Sequence, residues 1–373
     1  MDSKLLCALL SRKYKTDGGD IYFNKHLAAI DEKIELFYLN EFSQNITLVI
    51  RFFFSKYILF ISRLPFGSFV YIMTMKLIAF CLVKMSSFRN QFKSYNVIII
   101  PTGDFLVFEI AMRLKMVGIV KNIHISILDF PWTYKNSKVN NFYIKKYFIR
   151  NTVMFDSADF ISETMAEFLN RYNNSLKGIV IYPLVDLLSK KNTCFFKEVS
   201  NESEASLKLV FAGNLRFKEE IIYFVDNIVQ RISSVEVHLF SAYSIQNKSI
   251  ISHNFISSLQ DLKLLLSDMH FGLIPMSFNK EDRELVETSF PSKLAMYLSI
   301  GLPVIVYAPK YSSISKFVIK HNLGIVLDQE DLLSLNNKDI VFWSKERLEN
   351  SRETLKMETA DNYKQLRKLL SFA

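Results

Sequence analysis

The chain has 373 residues, half of them hydrophobic and 33 of them phenylalanine, and its net charge is +9. This length and apolar content exclude a largely disordered or fibrous protein and are typical of a globular chain with two domains. The three cysteines and six histidines are too dispersed for a disulfide framework or a structural metal site, which predicts a reducing compartment and no bound metal.

Short apolar runs alternate with helical patterns along most of the chain. The runs are continuous rather than alternating, which is typical of strands that are covered on both faces. Helices are predicted between them, for example over 104–117 and 219–232, so the pattern favours βαβ units and parallel sheets. In chain order, the predicted strands are LLCALL, IELFYL, YNVIIIP, NIHISILDF, GIVIYPL, KLVFAGNL, VEVHLFS, HFGLIPM, LPVIVYA and LGIVLD.

The clearest boundary between domains is a polar stretch at 189–208, which has no persistent hydrophobic period. The predicted fold class is therefore α/β, with two doubly wound, Rossmann-like domains that face a central cleft. The first domain is predicted at 1–190 and the second at 207–340. A helix at 341–373 is predicted to pack back on the first domain. In such open sheets, ligands bind beyond the carboxyl ends of the strands.

The segment 46–93 is basic and strongly apolar, and no acidic residue occurs between Glu41 and Asp104. This composition favours the headgroup layer of an anionic membrane over nucleic acid, because a nucleic-acid surface is usually polar between its charges. Core helices of a soluble domain are an equally weighted interpretation. The stretch 64–83 has the length of a membrane span, but Lys76 lies within it and Pro65 interrupts its start, so a span is the least favoured reading.

Two places in the first domain are candidates for chemistry. Gly18 and Gly19 follow the first predicted strand, and a glycine turn leading into a helix N-terminus can receive phosphate. A purely structural turn explains the two glycines equally well, and the nearby His26 is predicted to be solvated. In ILDFPW, Asp129 ends a strand, where its carboxylate can orient a sugar hydroxyl, act as a base or cap a local turn.

The second domain carries cationic residues after two of its predicted strands. In FAGNLRFKEE, Gly213 ends a strand, and Arg216 and Lys218 follow at positions suited to a diphosphate. In TSFPSKLAMYL, the amides of Ser292 and Lys293 lie in a first helical turn, so they can face an anion together with the hydroxyl and the ammonium group. A solvated loop and an ordinary β/α turn are the structural alternatives.

Taken together, these motifs resemble those of GT-B glycosyltransferases, in the large retaining family that includes bacterial lipopolysaccharide and capsule transferases. SILDFPW resembles the strand and loop that line the acceptor cleft, and IYPLVD resembles the segment after the interdomain connection. FAGNLRFKE resembles the glycine strand end with its phosphate-binding Arg and Lys. TSFPSKLAMYLSIGLPVIV resembles the helix that binds the nucleotide sugar. The similarity extends from Gly18 to about Asp328.

The resemblance also implies roles for individual residues. In the family, two glutamates often bracket the donor helix, but Thr288 and Met296 stand in their places here. Glu287 is the candidate substitute for the first glutamate. Leu128 stands where the family often has a histidine. The implied catalytic residue is Asp129, and the implied donor-binding residues are Gly18, Gly19, Arg216, Lys218, Glu287, Ser289, Ser292 and Lys293.

The implied function is transfer of a sugar from a nucleotide diphosphate sugar, linked to UDP or GDP, to a glycan acceptor. A lipid-linked surface polysaccharide such as O-antigen or capsule is the expected acceptor, and retention without a metal or other cofactor is the expected mechanism. The chain is expected in the cytoplasm, bound peripherally to the inner face of the membrane. The apolar run near its start is too short for a secretory signal.

Two other functional classes remain open from the sequence. A non-catalytic GT-B partner subunit of another transferase is the main alternative, motivated by Met296 and Leu128. A nucleic-acid-modifying transferase has only the net charge of +9 in its favour, so no nucleic-acid partner is expected.

Overall fold

The computed structural model describes residues 6–10, 18–30, 34–39, 67–133, 138–188, 206–232, 234–256, 259–266, 268–336 and 345–372. The chain divides into two compact units. The N-terminal unit comprises Met1–Tyr182 and Asp361–Ala373, and the C-terminal unit comprises Pro183–Ala360. The chain thus passes from one unit to the other within the IYPLVD sequence, and its last residues rejoin the first unit.

The described strands of the N-terminal unit are short and parallel. They are β1 (Leu6–Leu10), β2 (Glu35–Tyr38), β3 (Val97–Pro101), β4 (Asn122–Ile127), β5 (Ser157–Phe160) and β6 (Lys177–Val180). The accompanying helices are α1 (Gly18–Ile30), α2 (Gly67–Lys84), α3 (Ser86–Asn90), α4 (Phe105–Met116), α5 (Lys138–Asn151) and α6 (Glu163–Asn170). The strand order is β2-β1-β3-β4-β5-β6, so the chain changes direction between β1 and β3.

The C-terminal unit repeats this plan. Its described strands are β7 (Leu207–Ala212), β8 (Val235–Phe240), β9 (Ile250–His253), β10 (Phe271–Pro275), β11 (Val304–Tyr307) and β12 (Gly324–Leu327). Its helices are α7 (Lys218–Ile228), α8 (Leu259–Leu266), α9 (Arg283–Thr288), α10 (Ser292–Ser299), α11 (Ser313–His321) and α12 (Gln329–Ser334), and α13 (Lys345–Phe372) continues into the N-terminal unit. The strand order is β12-β11-β10-β7-β8-β9, so the topological switch point lies between β7 and β10.

The two parallel sheets confirm the predicted α/β class, and each of the ten predicted strands is present. Strands β5 and β9 were not predicted from the sequence. In β5, the sequence SADF carries Ser157 and Asp159, which are buried polar residues and mask the apolar signal. In β9, the sequence IISH lies at the edge of the sheet, where Ile251 is exposed.

Helix α7 shows how the second sheet is covered. Its residues Ile221, Phe224, Val225 and Ile228 recur at the spacing of one helical face, and all four are buried. They pack into the core that includes Phe211 of β7. This packing fixes the start of α7 next to the end of β7.

Helix α2 accounts for part of the predicted basic segment 46–93, of which residues 46–66 lie outside the described residues. Its buried face, which includes Ile72, Met75 and Ala79, packs against α4 and α5. Among the helices that the structure describes, α2 alone has the length and apolar composition needed to cross a membrane, and 44% of that stretch is buried.

The last turns of α13 complete the N-terminal unit. The guanidinium group of Arg367 donates to the carbonyl oxygens of Ala29 and Ile30, each at 2.7 Å, and so satisfies carbonyls at the end of α1. The hydroxyl of Tyr363 lies 2.9 Å from Nδ1 of His26. The prediction that His26 is solvated is wrong: its side chain is fully buried, because α13 covers it.

His26 belongs to a buried polar network around Asp159. Oδ1 of Asp159 accepts a hydrogen bond from the Ser126 hydroxyl at 2.6 Å and lies 2.7 Å from Nε2 of His124 and 3.4 Å from Nε2 of His26. Burial alone would raise the pKa of Asp159, but the charge of His26 and the hydrogen bond from His124 outweigh it and hold that pKa well below its usual range. The carboxylate is therefore ionised within the core.

Candidate functional site

The side chain of Lys293 lies against the backbone of Gly213. A Cβ atom added to Gly213 would come within 3.1 Å of Cε and 3.4 Å of Nζ of Lys293. Gly213 has a φ of +121°, a backbone conformation that residues other than glycine rarely adopt. The ammonium group also lies 4.8 Å from the ring centroid of Phe211. The two cationic motifs of the C-terminal unit therefore meet at the carboxyl end of β7.

Tyr297 fixes Lys293 in this position. Its hydroxyl accepts a hydrogen bond from the Ala212 amide at 3.1 Å and donates to the carbonyl of Val210 at 3.2 Å. Its ring lies over Gly272 of β10, where an added Cβ would be 2.4 Å from the ring. Because Lys293 lies four residues before Tyr297 on α10, both side chains project from the same helical face toward β7.

Lys293 is a partly buried cation with no carboxylate partner among the residues that the structure describes. Its side chain is half-buried, and burial lowers its pKa to about 8. The Phe211 ring face offers the ammonium group a weak cation–π interaction only. An anion bound here would supply the missing counter-charge and favour the charged form.

The N-terminus of α10 adds backbone donors to this place. Pro291 precedes the helix in an extended conformation, with φ −64° and ψ 122°, and no side chain caps the helix start. Ser292, the first helical residue, is exposed. The amides of a first helical turn have no intrahelical acceptors, and with the helix dipole they attract anions. Since Lys293 follows Ser292 directly, these amides lie at the same end of β7.

Arg216 and Lys218 follow Gly213 in the sequence and add two cations to this stretch of the chain. Both side chains are exposed. Arg216 lies in the loop after β7, with its guanidinium 5.6 Å from the ring centroid of Phe217. Lys218 is the first residue of α7, a second helix whose start has no side-chain cap. The structure therefore brings Gly213 and Lys293 together and places Arg216 and Lys218 in the adjoining loop and turn.

Glu287 and Ser289 lie on and just after the short helix α9. The Glu287 carboxylate accepts from Nε of Arg283 at 2.8 Å, one helical turn away. The amide of Ser289 bonds to the Leu285 carbonyl at 2.8 Å, and its own carbonyl accepts from the Ser313 hydroxyl. The backbone of Ser289 is thus held by α9 and α11. The donor-binding roles of Glu287 and Ser289 stay predictions.

In the N-terminal unit, Gly18 and Gly19 are the first two residues of α1. The prediction that they form a turn before the helix is therefore wrong, since their backbone is already helical. Asp129 is half-buried and follows β4. Its loop is tied to the end of β3, because the Leu128 amide donates to the Thr102 hydroxyl at 3.1 Å. The catalytic role of Asp129 and the donor-binding roles of the two glycines stay predictions.

The sequence analysis overlooked the two residues that position the site. Tyr297 reads as an ordinary core residue of an amphipathic helix, and Gly272 as an isolated glycine in an apolar strand. Glycine within a strand often marks a place where another group approaches the backbone closely. Gly272 is such a case, because the ring of Tyr297 lies against it. No group of three or more potential metal ligands lies together in the described parts of the chain.

The C-terminal unit matches a known family. Residues 209–340 match the family described as glucosyltransferase 3-like, C-terminal domain. That range contains Gly213, Arg216, Lys218 and Lys293. A search of curated protein sequences found no match to the chain.

Solved structures of low sequence identity resemble the chain over nearly its whole length. The chain is similar to the UDP-forming α,α-trehalose-phosphate synthase from Burkholderia xenovorans, with a TM-score of 0.60, 9% identity and coverage of 98% of this chain and 100% of that one. It is similar to sucrose-phosphate synthase from Thermosynechococcus elongatus, with a TM-score of 0.58, 12% identity and coverage of 97% and 99%. TarM gives a TM-score of 0.53 at 13% identity, over 79% of this chain and 57% of that one.

At these identities the likeness establishes the fold. The chain has the two-domain GT-B fold of glycosyltransferases, which confirms the predicted fold class. Each unit supplies one doubly wound parallel sheet to this fold.

Proposed function

We propose that the chain is a glycosyltransferase that takes a sugar from a nucleotide diphosphate sugar and transfers it to a glycan acceptor. The observation that carries this proposal is the placement of Lys293, a partly buried ammonium group with a lowered pKa, against Gly213 at the switch point of the second sheet. The match of 209–340 to the glucosyltransferase 3-like domain supports the same conclusion.

The geometry suits stabilisation of a departing diphosphate. Lys293 and the first amides of α10 would contact its oxygens, while Arg216 and Lys218 would neutralise it from the loop after β7. Fixed donors aimed at a charge that develops in the transition state commonly provide the largest part of the rate enhancement. Glu287 and Ser289 would line the nucleotide side of the donor.

The N-terminal unit would provide the acceptor side of the reaction. Gly18 and Gly19 would allow backbone amides of α1 to approach the phosphates, and Asp129 would orient or deprotonate an acceptor hydroxyl. Retention at the anomeric carbon and independence of metal are part of the proposal. The UDP-forming trehalose-phosphate synthase shares the fold, so UDP sugars are the first donors to test and GDP sugars the second.

The proposed acceptor is a lipid-linked glycan of a bacterial surface polysaccharide, of the O-antigen or capsule type. It would be met at the inner face of the cytoplasmic membrane, to which the chain would bind peripherally. The absence of acidic residues between Glu41 and Asp104 supports this location.

Calorimetric titration of the full chain with UDP, GDP and their sugars tests the donor site. We expect binding of at least one nucleotide by the unaltered chain and at least tenfold weaker binding by Lys293→Met and Arg216→Gln. A folded chain that binds none of these compounds would overturn the proposal.

A non-catalytic GT-B partner subunit is the second candidate, favoured by Met296 and Leu128 at positions where the family often has polar residues. Mass spectrometry of products formed from a panel of nucleotide sugars and a membrane extract separates the two. Product formation by the purified chain, lost in Lys293→Met, supports the enzyme. Product formation that needs a second transferase and is unchanged in Lys293→Met supports the partner subunit.

A further inference from the structure

The outer face of α2 carries a row of exposed apolar side chains that the donor site does not use. Phe69, Met73, Leu77 and Phe80 are each between 45% and 61% exposed. Their spacing of four, four and three residues places them on one helical face. A row of exposed apolar side chains on one helical face forms a contiguous patch of the kind that marks interaction surfaces on globular proteins.

The surface continues onto the neighbouring helix α5. The ring of Phe69 lies 6.3 Å from the ring of Tyr143, and α2 packs directly on α5. Phe142, the residue before Tyr143, is 60% exposed. We call the exposed side chains Phe69, Met73, Leu77, Phe80 and Phe142 the apolar face.

Cations border the apolar face. Lys84 and Arg113 have their charged groups 5.4 Å and 5.5 Å from the ring centroid of Phe80. Lys146 lies 5.9 Å from the ring centroid of Phe142. Neither α2 nor α5 contains an acidic residue, and the buried carboxylate of Glu109 on the adjacent helix α4 lies 3.8 Å from Nε of Arg113. The face is therefore apolar at its centre and positive at its border.

This charge pattern selects the occupant. A second copy of the chain would bring the same cations together across the contact, which is unfavourable. An anionic bilayer offers apolar chains to the centre of the face and phosphate groups to its border, as amphipathic helices at membrane surfaces require. Lys and Arg next to such a surface each add to the attraction.

The buried side of α2 decides how the helix would lie. Ile72, Met75 and Ala79 are buried against α4 and α5, and the Lys76 ammonium group lies 4.9 Å from the ring centroid of Tyr147. A spanning helix would have to leave these contacts and expose the core of the unit. A helix lying in the plane of the membrane keeps them.

We infer that the apolar face binds the headgroup layer of an anionic bilayer, with the axis of α2 parallel to the membrane. This inference deepens the proposed function, since it names the surface that would hold the enzyme near a lipid-linked acceptor. It does not depend on donor binding.

Sedimentation of the full chain with lipid vesicles tests it. We expect binding to vesicles of equal parts phosphatidylglycerol and phosphatidylcholine, and much weaker binding to phosphatidylcholine alone. The double variant Met73→Gln, Leu77→Gln should bind at least tenfold more weakly. Lys84→Gln and Lys146→Gln should each weaken binding about fivefold, and added salt should reduce that difference.

The matched control is Ile319→Gln on α11, because Ile319 is 62% exposed but lies in the C-terminal unit. It should bind vesicles as the unaltered chain does. Vesicle binding that the Met73→Gln, Leu77→Gln change leaves intact would overturn the inference. The inference would also be overturned if the unaltered chain did not bind vesicles but self-associated with rising concentration, and if the Met73→Gln, Leu77→Gln change abolished that self-association.

Depth of insertion separates the two orientations of α2. A fluorophore at Leu77→Cys, in a chain with Cys81→Ser and Cys194→Ser, should be quenched by lipids labelled near the headgroup. Stronger quenching by lipids labelled at the chain ends would place the middle of α2 at the bilayer centre and overturn the in-plane arrangement. Titration of each variant with UDP and GDP shows separately whether the donor site is intact.

Discussion

Replacing Lys293 with methionine should stabilise the ligand-free protein and weaken donor binding. Burial lowers the pKa of Lys293 from 10.5 to about 8, and each tenfold change in acid dissociation corresponds to about 1.36 kcal/mol. At pH 7, keeping the ammonium group charged would therefore cost about 3.4 kcal/mol at most. Because the side chain is only half-buried, water relieves part of this cost, and about 1–2 kcal/mol is the expected gain in unfolding free energy.

Binding should change in the opposite direction. A hydrogen bond between the ammonium group and a diphosphate oxygen contributes about 1.5–3 kcal/mol, so Lys293→Met should bind UDP or GDP about 10–100-fold more weakly. Denaturant unfolding followed by circular dichroism and calorimetric titration measure the two effects. Lys316→Met, an exposed lysine of α11, is the matched control and should change neither quantity.

The pH dependence provides an independent check on Lys293. Between pH 8 and 10.5 the unfolded chain holds the proton on this lysine and the folded chain does not. The unfolding free energy of the unaltered chain should therefore rise with pH in this window relative to that of Lys293→Met. Nucleotide affinity should fall above pH 8, because the free ammonium group is lost. A variant that is less stable and binds UDP or GDP normally would refute the reasoning.

Three further predictions concern the supports of the site and of the N-terminal unit. Gly213→Ala places a methyl group in a backbone conformation with φ +121° and 3.1 Å from the Lys293 side chain. It should lower the unfolding free energy by about 1–3 kcal/mol and weaken nucleotide binding about tenfold, whereas unchanged titrations would contradict the contact. Tyr297→Phe leaves the amide at the end of β7 without its partner and should cost about 1–3 kcal/mol in denaturant unfolding, against no loss in the exposed control Tyr243→Phe. Asp159→Asn removes a buried charge between two histidines and should cost about 3 kcal/mol. The pKa of Asp159 is lowered in the folded chain, so the difference in unfolding free energy between the unaltered chain and Asp159→Asn should shrink as the pH falls below 3.8. If the two proteins lost stability equally in acid, the carboxylate would not be ionised in the core.

The sequence predicted the elements better than it predicted their contacts. Short, continuous, β-branched runs such as Val97–Ile100 and Leu302–Tyr307 are typical of strands covered on both faces, so β3 and β11 were predicted. The motifs around Gly213 and Lys293 were also found, but their contact depends on β7 and β10 being neighbours in the sheet. Strand order is a property of the whole topology, and local periodicity does not specify it.

The buried polar residues could not be predicted for a shared physical reason. His26 and Asp159 are stable in the core because polar partners from distant parts of the chain surround them. Single-residue preferences assign both to the surface. Asp159 lies more than a hundred positions from His26 in the sequence, so neither residue leaves a local signal for the other. Tyr363, which bonds to His26 from the last helix, is also too distant to be predicted from local sequence.

The buried carboxylate of Asp159 and the half-buried ammonium group of Lys293 therefore serve different purposes. Oδ1 of Asp159 has two histidines and a serine within hydrogen-bonding reach or close to it, whereas Oδ2 is buried without a hydrogen-bond partner among the described residues. Groups of its own unit therefore offset most of this charge before any ligand arrives, and Asp159 stabilises the N-terminal unit. Burial lowers the pKa of Lys293, and no carboxylate among the described residues offsets the loss of water. A charge held partly out of water without a partner opposes folding, unless a ligand neutralises it. A bound diphosphate would therefore lower the electrostatic free energy of Lys293, and this is why donor binding is expected to depend on this residue.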